Sequence, residues 1–171
     1  NEWLLVPGGT FEMGTIEGDV DEQPVHSVTL SSYYMQKYEV TFAEYNMCVE
    51  AGFCEESRSA NDNSLNGNNQ PIVSVDWHDA QDYCHWIDGE LPTEAQWEYA
   101  ATWGTGTSHG GFQWALDRTS FNCENYCCDL GDCQQMTSCE VGSYDPNGLG
   151  LYDLSGNVLE WCLDWYREDF Y

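Results

Sequence analysis

The stretch from Gly148 to Tyr166 limits what this chain can fold into more than any other. Leu151, Tyr152, Leu154, Val158, Leu159, Trp161, Trp165 and Tyr166 follow one another too closely for most of them to face water. The stretch therefore reads as part of a hydrophobic core. Ser155-Gly156-Asn157 interrupts it. Gly and Asn accept positive φ, which predicts a sharp turn at that point. Asp153 and Glu160 flank the turn, and two readings of them stay open. They are solvated acids on a turn, or they are oxygen donors of a hard-cation site. The turn's carbonyls would complete such a site, since calcium takes roughly six to eight oxygens in irregular geometry.

Length and charge bound the rest. A chain of 171 residues is one domain with room for a core. Four Lys and Arg against 30 Asp and Glu leave a net charge of −26. A field of that sign repels nucleic acid and anionic membranes and favours cations. An aromatic share of 15% marks the chain as folded despite its charge. No apolar run approaches the ~20 residues of a membrane-spanning helix, so no membrane insertion is expected. The chain opens at Asn1 with no signal peptide, so any leader is expected to have been removed or left out.

Nine cysteines, Cys48, Cys54, Cys84, Cys123, Cys127, Cys128, Cys133, Cys139 and Cys162, point to an oxidising compartment, extracellular or periplasmic. No two CxxC motifs stand at zinc-ribbon spacing, which favours disulfides over a thiolate metal site. The odd number leaves at least one cysteine free or paired outside the chain.

Residues 3–14 read as a strand entering a Gly-Gly turn, and Val25 to Leu30 alternates in strand fashion. Tyr33 to Val40 is a further extended segment. Thr41 with Glu44 forms a capping box for a helix that ends at Gly52. Cys48 and Cys54 flank that helix end, close enough to bridge. Asp76 caps a second helix with Trp77, Ala80, Cys84 and Ile87 on one face, and Thr93 with Gln96 opens a third, burying Trp97 and Ala101. Arg58 to Gln70 is a polar surface loop, and residues 112–147 look irregular and cross-linked, with most of Cys123, Cys127, Cys128, Cys133 and Cys139 expected to pair among themselves. The composition and pattern suit an α+β domain.

Signatures of common chemistries are missing. No HExxH occurs, and His78 and His85 stand about 10 Å apart along a helix, too far to share a metal. With His26 and His109 they read as structural or surface residues. No GxSxG elbow supports a hydrolase, and no Gly-rich loop between strand and helix supports nucleotide binding.

Four blocks carry a family resemblance: Val6 to Gly14, Pro71 to Trp77, Leu91 to Ala101, and Leu151 to Trp161. In that order, spanning nearly the whole chain, they resemble the formylglycine-generating enzyme family, also called the sulfatase-modifying-factor domain. The resemblance implies a single domain over 1–171 with a C-type-lectin-like core, long loops and little regular secondary structure, stabilised by calcium and disulfides. It implies calcium held by the side chains of Asp153 and Glu160 with the carbonyls of Gly156 and Val158. It implies a second ion at Asn122 and the Cys123 carbonyl, completed by Asp132 with the Gln134 carbonyl, or by Asp129 in competition with Asp132. Family enzymes oxidise a substrate cysteine with oxygen and copper(I) held by two later cysteines, a soft-ligand pairing. This sequence stops at Tyr171, before that block, so no catalytic residue and no copper are expected in it.

Three function classes follow. The first is a non-catalytic extracellular module used for binding or assembly. The second is a fragment of a copper-dependent cysteine oxidase, and the third a lectin-like protein that binds a glycan or another ligand. Because family chains continue and complete the core sheet, the expected partners are a second copy or a completing C-terminal polypeptide. A protein or glycan ligand is possible beside them.

Overall fold

The computed structural model describes residues 2–16, 22–103 and 137–165. Asn122, Cys123, Cys127, Cys128, Asp129, Asp132, Cys133, Gln134 and His109 lie outside the described residues.

Four short strands come first: β1 (Trp3–Val6), β2 (Gly9–Met13), β3 (His26–Leu30) and β4 (Tyr33–Gln36). β1 pairs antiparallel with β4 from Trp3↔Gln36 to Val6↔Tyr33, and β2 pairs antiparallel with β3 from Gly9↔Leu30 to Met13↔His26. The two ladders share one register and run end to end. They part where Pro7-Gly8 faces Ser31-Ser32, so the segment read as a single strand is two. Pro7 has no amide proton to give to a ladder. Gly8 instead donates to Ser32 Oγ at 2.8 Å. A Cβ on Gly8 would stand 2.6 Å from the Leu30 carbonyl oxygen and 2.7 Å from the Ser32 amide, both backbone atoms with little room to yield.

Three helices follow: α1 (Phe42–Glu50), α2 (Trp77–Trp86) and α3 (Glu94–Ala101). Each opens on a reciprocal capping box, Thr41 with Glu44, Asp76 with Asp79 and Thr93 with Gln96. The caps satisfy amide donors that have no partner inside a helix. Past α1, Gly52 takes φ +76° and turns the chain back. That turn brings Cys48 and Cys54 into a disulfide with Cα atoms 5.3 Å apart.

The core has two centres. Val6, Tyr99, Ala100, Ala101, Leu151 and Leu154 form the first, between the strand ribbon and α3. Tyr45, Cys48, Cys54 and Tyr83 form the second, between α1 and α2, with Tyr45 stacked on Tyr83 at 5.8 Å. Tyr83 is the buried residue of α2, while Trp77, Ala80, Cys84 and Ile87 are only partly covered. On α3, Ala101 is buried with Tyr99 and Ala100, and Trp97 packs at the edge. Asn147 joins α3 to the stretch beyond it: its Nδ2 donates to the Ala100 carbonyl at 2.8 Å, and its Oδ1 accepts from the amides of Leu149 and Leu151.

The Gly148–Tyr166 stretch divides at its turn. Leu151 and Leu154, before it, are 2% and 9% exposed. Leu159, Trp161 and Trp165, after it, are 101%, 48% and 80% exposed, contrary to their expected place in the core. Their backbone is nevertheless anchored: Leu163 N donates to the Pro92 carbonyl, Trp77 Nε1 donates to the Cys162 carbonyl, and Glu94 N donates to Asp164 Oδ2. The chain therefore runs along the surface of α2 and α3 rather than between them. No helix among the described residues is long and apolar enough to cross a membrane.

Candidate functional site

The turn that divides this stretch is built by three residues in left-handed or otherwise positive φ: Asp153 at 61°, Gly156 at 139° and Asn157 at 67°. Asp and Asn enter that region more readily than other non-Gly residues. Each side chain of the turn then has a fixed task. Asp153 Oδ2 accepts from the Gly142 amide at 2.7 Å. Asn157 Oδ1 accepts from the Cys139 amide at 2.9 Å, and its Nδ2 donates to Glu39 Oε2 at 2.6 Å. Cys139 is itself disulfide-bonded.

Glu39 is the residue that sequence reasoning passed over. It lies just beyond β4, between Tyr38 and Val40, and is only 9% exposed. Its Oε1 is buried and has no hydrogen-bond partner among the described residues. The sequence signal was slight: an acid directly between Tyr38 and Val40 needs something to pair with once it is covered.

Glu39, Asp153 and Glu160 repel one another. Burial, then the charges of Glu160 and Asp153, push the Glu39 carboxyl up to about 9, against the pull of the Asn157 side chain and the Val158 amide. Burial also raises Asp153, opposed by the Gly142 amide. Glu160 is raised by crowding first and by the Asp153 charge second, while the Trp97 indole favours its ionised form. As a residue, however, Glu160 is exposed. Its carboxyl stands among many protein atoms at the mouth of an open cavity, where water softens the shift without reversing it. Trp97 Nε1 is buried and makes no hydrogen bond among the described residues, so its help to the ionised form is weak.

These groups fit a hard cation. The donors are oxygens only, and among the described residues the carboxylates have no ion-pair partner and no backbone amide donates to the carbonyl of Gly156 or Val158. No three Asp, Glu, His or Cys side chains among the described residues converge as a metal cluster. A cation at the turn would therefore be held by Asp153 and Glu160 with backbone carbonyls, and not by carboxylates alone.

Beside the turn opens a cavity of about 1170 Å³, lined by residues of β4, the 71–75 segment, α2, the 88–92 segment and the 151–161 stretch. Cys84 lines it too. Cys84 and Cys162 are free thiols, pushed up by burial to about 11 and about 12, with Glu90 adding to the first and Glu94, Glu160 and Asp164 to the second. Both are protonated at neutral pH, which suits them poorly to a thiolate pair. His78 and His85 are exposed on α2, and His85 faces Glu90 at 3.8 Å.

Residues 1–171 match the family model of the sulfatase-modifying factor enzyme 1-like domain along their whole length. The chain belongs to that family. Within it, the chain is 34% identical over 187 residues to a protein named serine/threonine-protein kinase pkn1 of Chlamydia pneumoniae, covering 99% of this chain and 29% of that protein. It is 30% identical over 223 residues to the formylglycine-generating enzyme of Streptomyces coelicolor, covering 98% of this chain and 70% of the enzyme. Among solved structures, PvdO from Pseudomonas aeruginosa superposes with a TM-score of 0.80 at 26% identity, over 98% of this chain and 72% of that one. The sulfatase-modifying-factor chain thus spans less than a third of the kinase relative it matches. Its small sheets and few helices are the architecture of these neighbours.

Proposed function

We propose that this chain is a non-catalytic, extracellular module that binds or assembles, on a C-type-lectin-like scaffold held by calcium and disulfides. The observation that carries this reading is the large aromatic and acidic cavity beside the Asp153–Glu160 turn. Calcium at that turn, held by Asp153 and Glu160 with the carbonyls of Gly156 and Val158, would neutralise charges that otherwise repel. A second ion at Asn122 and Cys123, with Asp132 and Gln134 or with Asp129, belongs to the same proposal. One further fact lends support. The domain matches part of a protein named as a kinase as well as formylglycine-generating enzymes, and a scaffold so shared carries no single chemistry with it. The partners proposed are a second copy or a completing polypeptide, with a protein or glycan as ligand.

The identity to formylglycine-generating enzymes favours a second reading, a piece of a copper-dependent cysteine oxidase. One assay separates the two. Incubating residues 1–171 with copper(I), oxygen and a Cys-x-Pro-x-Arg peptide yields no aldehyde if the module is non-catalytic. Turnover that depends on any of its cysteines would overturn that reading.

A further inference from the structure

Trp97 carries a polar atom that the described fold does not use. Its ring packs against the core centre of Val6, Tyr99 and Leu151, so it cannot swing outward. Its Nε1 is buried and has no hydrogen-bond partner among the described residues. A buried donor left unpaired is costly and calls for a physical reason. The helix that carries it is fixed at both ends. Thr93 and Gln96 cap the start of α3, and the Asn147 side chain holds the Ala100 carbonyl at 2.8 Å. The start of α3 also grips the segment that carries Glu160. The Pro92 carbonyl accepts from Leu163 N at 2.8 Å, and Glu94 N donates to Asp164 Oδ2 at 2.6 Å. Glu94 and Trp97 stand one turn apart on the same side of the helix. Glu160 is exposed as a residue, yet the Trp97 indole lies close enough to its carboxyl to favour the ionised form.

We propose that Trp97 positions Glu160 for calcium, its Nε1–H donating to the carboxylate oxygen that the ion does not take. The inference rests on the proposed calcium at the Asp153–Glu160 turn and adds the donor that orients one of its ligands. An ionised carboxylate accepts at both oxygens, so a metal on one leaves the other open to a donor. The bond would be charge-assisted and therefore stronger than one between neutral groups. Donors behind a metal ligand fix its orientation, and losing one typically costs roughly 10–100-fold in affinity. Glu160 is the ligand that needs such help. Asp153 already has its carboxyl oriented by the Gly142 amide, at 2.7 Å from Oδ2. No backbone amide among the described residues holds the Glu160 carboxyl in that way. A ring kept only for packing would have no use for the N–H, and the core around it would take Phe as readily.

Calcium titration calorimetry on metal-stripped residues 1–171 and on Trp97→Phe tests this. The binding to be read is the part that Asp153→Ala removes. Phe keeps a packed ring and deletes only the donor. The variant should bind calcium roughly tenfold or more weakly than the native chain. In excess chelator its melting midpoint should equal or exceed the native one, because an unsatisfied buried donor has gone. A second measurement needs no variant. In the native chain the Trp97 indole N–H proton resonance should move downfield when calcium is added, and its hydrogen exchange should slow at least tenfold. This decides the matter if Trp97→Phe does not fold. Equal calcium affinity in the native chain and Trp97→Phe overturns the inference alone and leaves the metal site in place. So does an indole resonance that calcium does not move. A variant destabilised to the same degree in chelator and in calcium marks Trp97 as packing only and overturns it as well. A native chain that binds no calcium at this turn overturns the metal reading and the inference together.

Discussion

Asn157 donates to Glu39 across 118 residues of sequence, at 2.6 Å. The contact closes a clasp. One end of the Asn157 amide holds a buried carboxylate just past β4. The other end holds the Cys139 amide, where the cysteine-rich segment rejoins the described fold. The turn at 153–157 thus fastens two separate parts of the chain, Glu39 beyond β4 and the 139–142 segment.

Breaking that clasp should be costly. Asn157→Ala leaves a buried acceptor unsatisfied, a loss of about 1–3 kcal/mol. It also forces a β-carbon without a polar group into left-handed φ, which adds roughly 1 kcal/mol. Asn157→Gly removes the hydrogen bonds but keeps the backbone freedom, so it should be the milder of the two. Urea unfolding of both variants measures the difference. An Asn157→Ala variant as stable as the native chain would mean that the clasp is not a structural element.

A pH effect follows from Glu98 on α3. Its Oε1 accepts from the Gly14 amide at 3.0 Å, but burial outweighs that bond and holds its carboxyl above the usual range, with Glu94 and Glu22 adding to the rise. The folded state therefore prefers the protonated form. That preference contributes fully below the ordinary glutamate pKa and is lost as pH rises through the raised one. Glu98→Gln keeps an acceptor for Gly14 without the charge. Relative to the native chain, its stability should climb as pH moves from 4 toward 7. Denaturant midpoints at several pH values test this, and a pH-independent difference would contradict it.

Free thiols give a third expectation. With Cys84 and Cys162 pushed up to about 11 and about 12, their thiolate fraction at pH 8 is tiny. Each unit of pKa above pH removes about tenfold of the reactive form. Iodoacetamide should label Cys84 roughly a hundredfold and Cys162 roughly a thousandfold more slowly in the folded chain than in urea, and Cys48 and Cys54 should not react without reductant. Peptide mapping over time reads all four positions. Fast labelling of Cys84 in the folded chain would contradict a thiol held protonated by burial.

Much of this fold was legible because its signals are local. The capping residues Thr41, Asp76 and Thr93 announce the helices, and the Cys48–Cys54 bridge follows from a helix end that Gly52 turns back. The turn at Gly156-Asn157 was readable for the same reason. The fate of Leu159, Trp161 and Trp165 was not. Hydrophobicity says that a side chain prefers cover, but not whether cover is supplied: Leu159 and Trp161 border an open cavity, and Trp165 lies on the surface against the Trp77 ring. Glu39 was missed because its meaning lies in partners far along the chain: Asn157, Asp153 and Glu160. Helix faces were approximate where one large ring dominates, as Tyr83 does on α2.

Whether calcium organises the Asp153–Glu160 turn, as proposed, is read by calcium titration of metal-stripped residues 1–171 followed by thermal unfolding. Binding should be saturable and should stabilise the fold by about 2.7 kcal/mol at a hundredfold excess over Kd. Asp153→Ala and Glu160→Gln should each abolish the gain attributed to this turn. No heat of binding, together with a melting midpoint that excess chelator leaves unchanged in the native chain, would contradict the account.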